Sequence, residues 1–210
     1  MNLGEFHDLV ATSLRRGTTL STVIPMYSKL AATWMERNYD FKYMEVFRLL
    51  QLVAGDRTVN LPTNKIVKGI DFIRLVDAPG DCGYTMLKKG NPKDFYGTLD
   101  AAPSGYWVSG TNTIVFNNTP DEDLSGEAIF LEFSDWPVAL TGEHPLLTIG
   151  PDVLLYQTLI HMAAYLRDAE MVAAYKGLRD EAINTLLRSE DETRFKGETL
   201  TMAYQPPHTQ

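Results

Sequence analysis

The residues whose spacing best suits chemistry are acidic. Asp121-Glu122-Asp123-Leu124-Ser125-Gly126, with Glu132 downstream, matches the D-x-D-x-S-G-x5-E spacing of a calcium loop. Such a loop offers oxygen ligands at alternate positions around a glycine-enabled turn and closes the cage with an acid at position twelve. An EF-hand also needs a helix on each side. Here TIVFNNTP before the run and AIFLEF around Glu132 read as strand, and small Ala128 stands where a larger aliphatic normally packs. Asp121, Asp123, Ser125 and Glu132 are thus the metal candidate, and a solvated acidic hairpin loop is the preferred reading.

Other reactive residue types are scattered. His7, His144, His161 and His208 fall on a helix, a loop, a helix and the tail, and none makes an i, i+4 pair. His161 reads as a packed or interface histidine, because no Ser or Cys nucleophile motif accompanies it. Cys82, the single cysteine, lies in Gly80-Asp81-Cys82-Gly83, where nothing would depress its pKa. One cysteine allows neither an internal disulfide nor a multi-cysteine zinc site. There is no phosphate loop, no GxGxxG and no HExxH, and no cofactor is implied. Asn117-Asn118-Thr119 spells a glycosylation sequon, which matters only in an exported chain.

The elements that carry these residues are helical at both ends and strand-like between. Asn2 followed by Glu5 predicts a capping box, with Leu3, Phe6, Val10 and Leu14 at helical spacing until Gly17. Ser21 or Thr22 can cap a second helix, with Pro25 in its first turn and Ile24, Tyr27, Leu30, Ala31 and Trp34 along one stripe. From about Met44 the period changes. LLQLVAGDRTVNLP reads as a strand, a turn at Gly55-Asp56 and a return strand closed by Pro62. IVKGIDFIRLV is a further strand, Tyr106, Val108, Ile114 and Phe116 flank a turn at residues 109–112, and Ile129, Leu131 and Phe133 alternate with Ala128, Phe130 and Glu132. After the Gly/Pro-bounded loop PVALTGEHPLLTIGP, Pro151-Asp152 opens a helix through Leu155, Leu159, Met162, Ala163 and Leu166. Arg167-Asp168 separates it from one carrying Met171, Tyr175, Leu178, Ala182 and Leu186.

The expected fold is α+β: a bundle of N- and C-terminal helices (1–42 and 151–190), an inserted antiparallel sheet or small barrel (43–137), a linker (138–150) and an extended arm (191–210).

Composition bounds the function. With 210 residues and 44% hydrophobic content the chain can bury a core. No apolar run approaches the roughly 18 residues of a membrane helix. MNLGEFHDLV carries an acid and a histidine where a secretory signal has a basic region and an apolar block, so export by that route is not expected. The net charge of −8 is unevenly placed: +4 over residues 1–93, −10 over 94–166 with no Lys or Arg, and −2 over 167–210. A cation-free stretch repels phosphates. It disfavours nucleic-acid gripping yet suits a surface that DNA must pass without sticking, and solubility is the plainer explanation.

The order of segments resembles a family. NLGEFHDLV and SKLAATWMERN, LVAGDRTVNLP, IVKGIDFIRL followed by GNPKDFYGTL, GTNTIVFNN, FLEFSDWP, and GPDVLLYQTLIHMAAYLRD running into AYKGLRDEAINTLL stand in the sequence and spacing of the head-to-tail adaptors of short-tailed bacteriophages, the tail tubular protein A or gateway type. The resemblance covers about 190 residues, and the acidic run at residues 121–123 departs from it. It implies a non-enzymatic virion protein, assembled in the host cytoplasm, forming a twelvefold ring below the portal protein. That ring would extend the channel for double-stranded DNA without specific binding and dock the tail nozzle protein, with no membrane contact.

Residue roles follow on that reading. The cation-free stretch, rather than the resemblance, makes Asp121, Glu122, Asp123 and Asp135 the candidates for lining that channel. The helices would form the ring contact, with Leu159 in the apolar stripe and Arg167, Asp168, Arg179 and Asp180 setting register. Leu200, Met202 and Tyr204, alternating in ETLTMAY, would seat an extended arm on the portal. A competing class is a carbohydrate-binding β module using Tyr106, Trp107 and Trp136, although strand aromatics usually pack in cores. An esterase or nuclease is a third reading. High-order cyclic oligomers would favour the first class, and a monomer or dimer stabilised by glycans the second.

Overall fold

A computed structural model describes residues 1–15, 20–61, 65–76, 84–94, 101–110 and 113–195. The chain forms two compact units, Met1–Ala31 with Val138–Gln210, and Ala32–Pro137.

In the helical unit, α1 (Leu3–Ser13) begins with the expected capping box: the Asn2 side chain accepts the Glu5 amide at 2.9 Å while the Glu5 carboxylate accepts the Asn2 amide at 2.9 Å. Two orphan amides are thereby satisfied, and Leu3, Phe6 and Val10 turn inward. The Leu3 and Gly4 amides bond the Gly142 and Leu140 carbonyls, which ties the returning chain to the start of α1. Helix α2 (Ile24–Asn38) buries Ile24 and Ala31, and Tyr27 packs on Tyr165 with ring centroids 5.6 Å apart. Leu30, placed on the same stripe by its spacing, is exposed.

The expected linker contains a short helix, α3 (Pro145–Ile149), capped by His144. Helix α4 (Pro151–Tyr165) is buried on nearly every side: Val153, Leu154, Gln157, Thr158, Leu159, Ile160, Met162 and Ala163 are all inaccessible. It is the central helix of this unit. Helix α5 (Ala169–Phe195) runs five residues into the segment expected to be an extended arm. Its inward face also differs from the spacing-based stripe, since Ile183 is buried and Leu178 is exposed. Arg179 is the reason: it donates to Gln157 Oε1 of α4 at 2.9 Å, which turns position 179 to the seam and 178 to solvent. Near Gly150, α5 passes so close that a Cβ would stand 2.8 Å from Leu186 Cδ2.

The β unit contains β1 (Glu45–Leu52), β2 (Thr58–Asn60), β3 (Val67–Val76), β4 (Tyr84–Met86), β5 (Lys88–Lys89), β6 (Gly105–Ser109), β7 (Thr113–Phe116) and β8 (Leu124–Glu132). They form two sheets, ordered β1-β8-β3-β4 and β2-β7-β6-β5. The first is antiparallel. The second is mixed, because β5 runs parallel to β6. The expected hairpin at Gly55-Asp56 is a turn without a hairpin: Gly55 has φ +80°, but β1 pairs with β8 and β2 with β7. The connection therefore crosses between sheets, and the Gly55 amide bonds the Pro120 carbonyl on the parallel crossing from β7 to β8. Between the sheets lies a core that includes Leu50, Ile73, Leu75, Tyr106, Phe116 and Phe130. On central β8, Gly126 lets Leu50 and Leu75 meet across it.

Two register shifts in β3 leave Lys68 and Asp71 as extra residues against β8. The first bulge aims Lys68 at the end of α2. Its Nζ donates to the Glu36 and Tyr39 carbonyls at 2.6 and 2.8 Å and pairs with Asp40. A cation there satisfies orphan carbonyls and complements the helix dipole. Glu36, buried, accepts from Tyr43 Oη at 3.0 Å and from the Ser134 amide at 3.3 Å. These bonds explain why the division between units falls inside α2.

Candidate functional site

The acidic run sits at the crossing between the sheets. Asp121, Glu122 and Asp123 are exposed, and Asp123 Oδ1 accepts the Ala54 amide at 2.8 Å. The remainder of the calcium pattern is spent on strand β8. Ser125 and Glu132 lie seven extended residues apart, about 23 Å at the usual rise, so they cannot share an ion. Glu132 is also buried and held by Arg48, whose Nε and Nη2 reach one carboxylate oxygen at 3.0 and 2.7 Å. The calcium candidate is thus corrected to an exposed turn plus a buried ion pair. Among the described residues no three His, Cys, Asp or Glu side chains converge as a metal site.

The cation-free stretch is not left without cations in space. Arg48 meets Glu132, Arg74 Nε meets Glu127 at 2.6 Å, and Lys65 pairs with Asp135. All three cations come from the N-terminal half; Arg48 and Arg74 reach β8 from the strands on either side of it, and the Lys65–Asp135 pair lies just beyond the strand ends. Asp135 follows β8 while Asp121, Glu122 and Asp123 precede it, so the four expected channel acids form two groups at opposite ends of one strand.

The histidines are structural in surroundings. His161 Nε2 lies 3.0 Å from Gln157 Nε2. Because Gln157 Oε1 is occupied by Arg179, its amide nitrogen must donate, so His161 accepts through Nε2 and is neutral. Burial first, and the Arg179 charge second, hold its pKa below the ordinary 6.5. Burial likewise lowers that of His7, against the opposing pull of Asp8. His144 Nδ1 caps α3 by accepting the Leu146 amide at 3.3 Å. Cys82, His208 and the arm residues Leu200, Met202 and Tyr204 lie outside the described residues.

The remaining expected sites are placed as follows. Leu159 is only 1% exposed within the single chain, so it belongs to the core of the helical unit and offers no area to a neighbour. Arg167, at φ +58°, and Asp168, whose carboxylate accepts the Met171 amide at 3.0 Å, make the α4–α5 turn. Arg179 is bound to Gln157 and Asp180, and Asp180 remains exposed. Tyr106 is 1% exposed in the β core and has no face for a sugar. Trp107 is covered by the Arg57 guanidinium, 5.3 Å above its ring. Tyr106 is thus withdrawn from the carbohydrate reading, and one face of Trp107 is taken by Arg57.

What spacing did not single out is a surface. Phe47, Leu49, Tyr84 and Met86 are apolar and exposed on the first sheet, a pattern signalled only by apolar residues on both faces of EVFRLLQL. An exposed apolar sheet face of this kind is uncommon on a monomer. The family model of the SU10 adaptor protein matches residues 1–203. The chain belongs to this family.

SU10 adaptor proteins are phage head-to-tail adaptors, as the order of motifs implied, and the family is structural. No individually curated protein matches the chain. Membership makes this a phage virion protein that works as an oligomer with portal and tail components. Among the described residues no helix is long and apolar enough to cross a membrane.

Proposed function

We propose that this adaptor forms a twelvefold ring below the portal, extends the channel for double-stranded DNA and supplies the platform on which the tail nozzle docks. The observation that carries the reading is the family match over residues 1–203. The ring assembles in the host cytoplasm before joining the virion.

The exposed run Asp121, Glu122 and Asp123 supports a lumen lining, because fixed anions keep a translocating duplex from adhering. Asp135 joins them on this reading, although its charge is met by Lys65. In the helical unit the α4–α5 turn, with Arg167 and Asp168, and the Arg179–Asp180 pair set the register between copies. Surface ion pairs contribute only about 0–1 kcal/mol each, so apolar burial must supply the affinity. Leu200, Met202 and Tyr204 seat the arm on the portal.

Native mass spectrometry with negative-stain imaging, of the protein alone and with its portal, tests the ring. A high-order cyclic oligomer is expected under at least one condition, and a monomer or dimer under both would overturn the reading.

A further inference from the structure

The pairing register of the first sheet determines which side chains share its outer face, since directly opposed residues project to the same side. Phe47 opposes Ile129, which opposes Phe72; Leu49 opposes Glu127, which opposes Arg74, which opposes Met86; and Val76 opposes Tyr84. The result is an apolar band across all four strands. Leu49 is 71% exposed, Tyr84 59%, Phe47 54% and Met86 50%. The charges within the band cancel: Arg74 is paired with Glu127 and lies 5.1 Å over the Tyr84 ring.

We propose that this outer face, together with edge strand β1, is covered by a second copy of the chain in the assembled adaptor; the proposal rests on the ring reading above. Three observations select that occupant. The exposed apolar area is on the order of 500 Å², at the upper end of what a monomer leaves bare and more than half of one partner's share of a standard interface.

The second observation is the edge itself. β1 is an eight-residue edge strand with no Pro or Lys, and Arg48, the one cation on it, turns to Glu132 on the inner face. Edges left so open are normally blunted or covered. Among the described residues, β4, β2 and β5 at the other edges are three, three and two residues long.

The third is charge. Copies carrying −8 each repel around a ring, so the contact between them needs a patch whose own charge is balanced, and this face provides one. An apolar, self-neutralised face fits a permanent contact between copies, whereas the more polar character of transient partner surfaces is lacking. A closing ring joins two unlike faces, of which this sheet is one.

The test is the double variant Phe47→Lys/Leu49→Lys in the full chain, followed by native mass spectrometry, negative stain and thermal melting, with and without the portal. Both side chains are exposed, so the variant is expected to melt within a few degrees of the parent and to lose the ring. Rings of parental size from the variant would overturn the proposal and leave the ring reading intact, as would intact rings that no longer bind portal or nozzle. A parent protein that never assembles would instead sink the ring reading itself. Should the variant melt early, hydrogen exchange on the parent decides: β1 amides at Phe47, Leu49 and Gln51 are expected to be protected at least tenfold more in the ring than in the monomer, and equal exchange overturns the proposal.

Discussion

Protonating His161 must break its bond from Gln157, because the ring nitrogen that accepts would become a donor facing another donor. Its folded pKa lies below 6.5 through burial and Arg179, and that of His7 lies below through burial. The unfolded chain therefore binds these protons first. Stability from both groups is complete above pH 6.5 and is lost as the pH falls through the window beneath it. Melting temperature is expected to drop between pH 7.5 and 5.5, and His161→Gln is expected to flatten part of that slope; an unchanged slope would refute the assignment. At Glu132 the relation is between partners. Arg48→Ala strands a carboxylate that is 6% exposed, at a cost of about 1.5–3 kcal/mol for a charged hydrogen bond, and adding Glu132→Gln is expected to recover part of it. The Arg48–Glu132 partnership was not legible in the sequence, since the two stand 84 positions apart and spacing along a chain carries no signal for such pairs, whereas Gln157 and His161 stand one helical turn apart.

Elements whose determinants are local were read correctly, and those settled by competition were not. The capping box of α1 is one such local determinant, and Asn2→Ala is expected to lower stability by about 1 kcal/mol in thermal or urea unfolding. The β1–β2 turn was equally visible, yet which strand each would pair with depends on the whole core, and β8 and β7 took them. The orientation of α5 turned on Arg179 reaching Gln157, a contact to which apolar periodicity is blind. The bulges at Lys68 and Asp71 went unread as well: a charged residue interrupts the mostly apolar strand at each, but a charge in a strand marks an outward position as readily as a bulge. Gly126 could have been read as a turn residue, but it sits mid-strand because a Cβ would stand 3.1 Å from the Arg74 carbonyl oxygen and 3.3 Å from Leu75 Cδ2. Gly126→Val is expected to cost about 1–3 kcal/mol by overpacking, measured as a shift in the unfolding midpoint at constant m value.

At the scale of the molecule, function was legible in the order of motifs across the chain, while no single residue announced it. Chemistry-bearing patterns pointed elsewhere, to a calcium loop that β8 pulls apart and to aromatics that the core or Arg57 consumes. Replacing Asp121, Glu122 and Asp123 by Lys is expected to slow DNA passage in a salt-dependent manner, since each new phosphate contact is released only with counterion uptake. Unaltered ejection kinetics would remove these acids from the lumen. Removal of residues 196–210, which follow the end of α5 at Phe195, is expected to abolish portal binding with the melting temperature unchanged, and an early melt would place the arm on its own chain instead. The bond from the Ser134 amide to Glu36 has a longer reach than its 3.3 Å. It clasps the entry and exit of the inserted β unit, so that for the helices flanking it the insertion behaves as a short loop regardless of how many residues it holds. Between residues closed in that way the chain tolerates a change of length at little loop-closure cost, since each doubling of a flexible loop adds only about 0.6 kcal/mol.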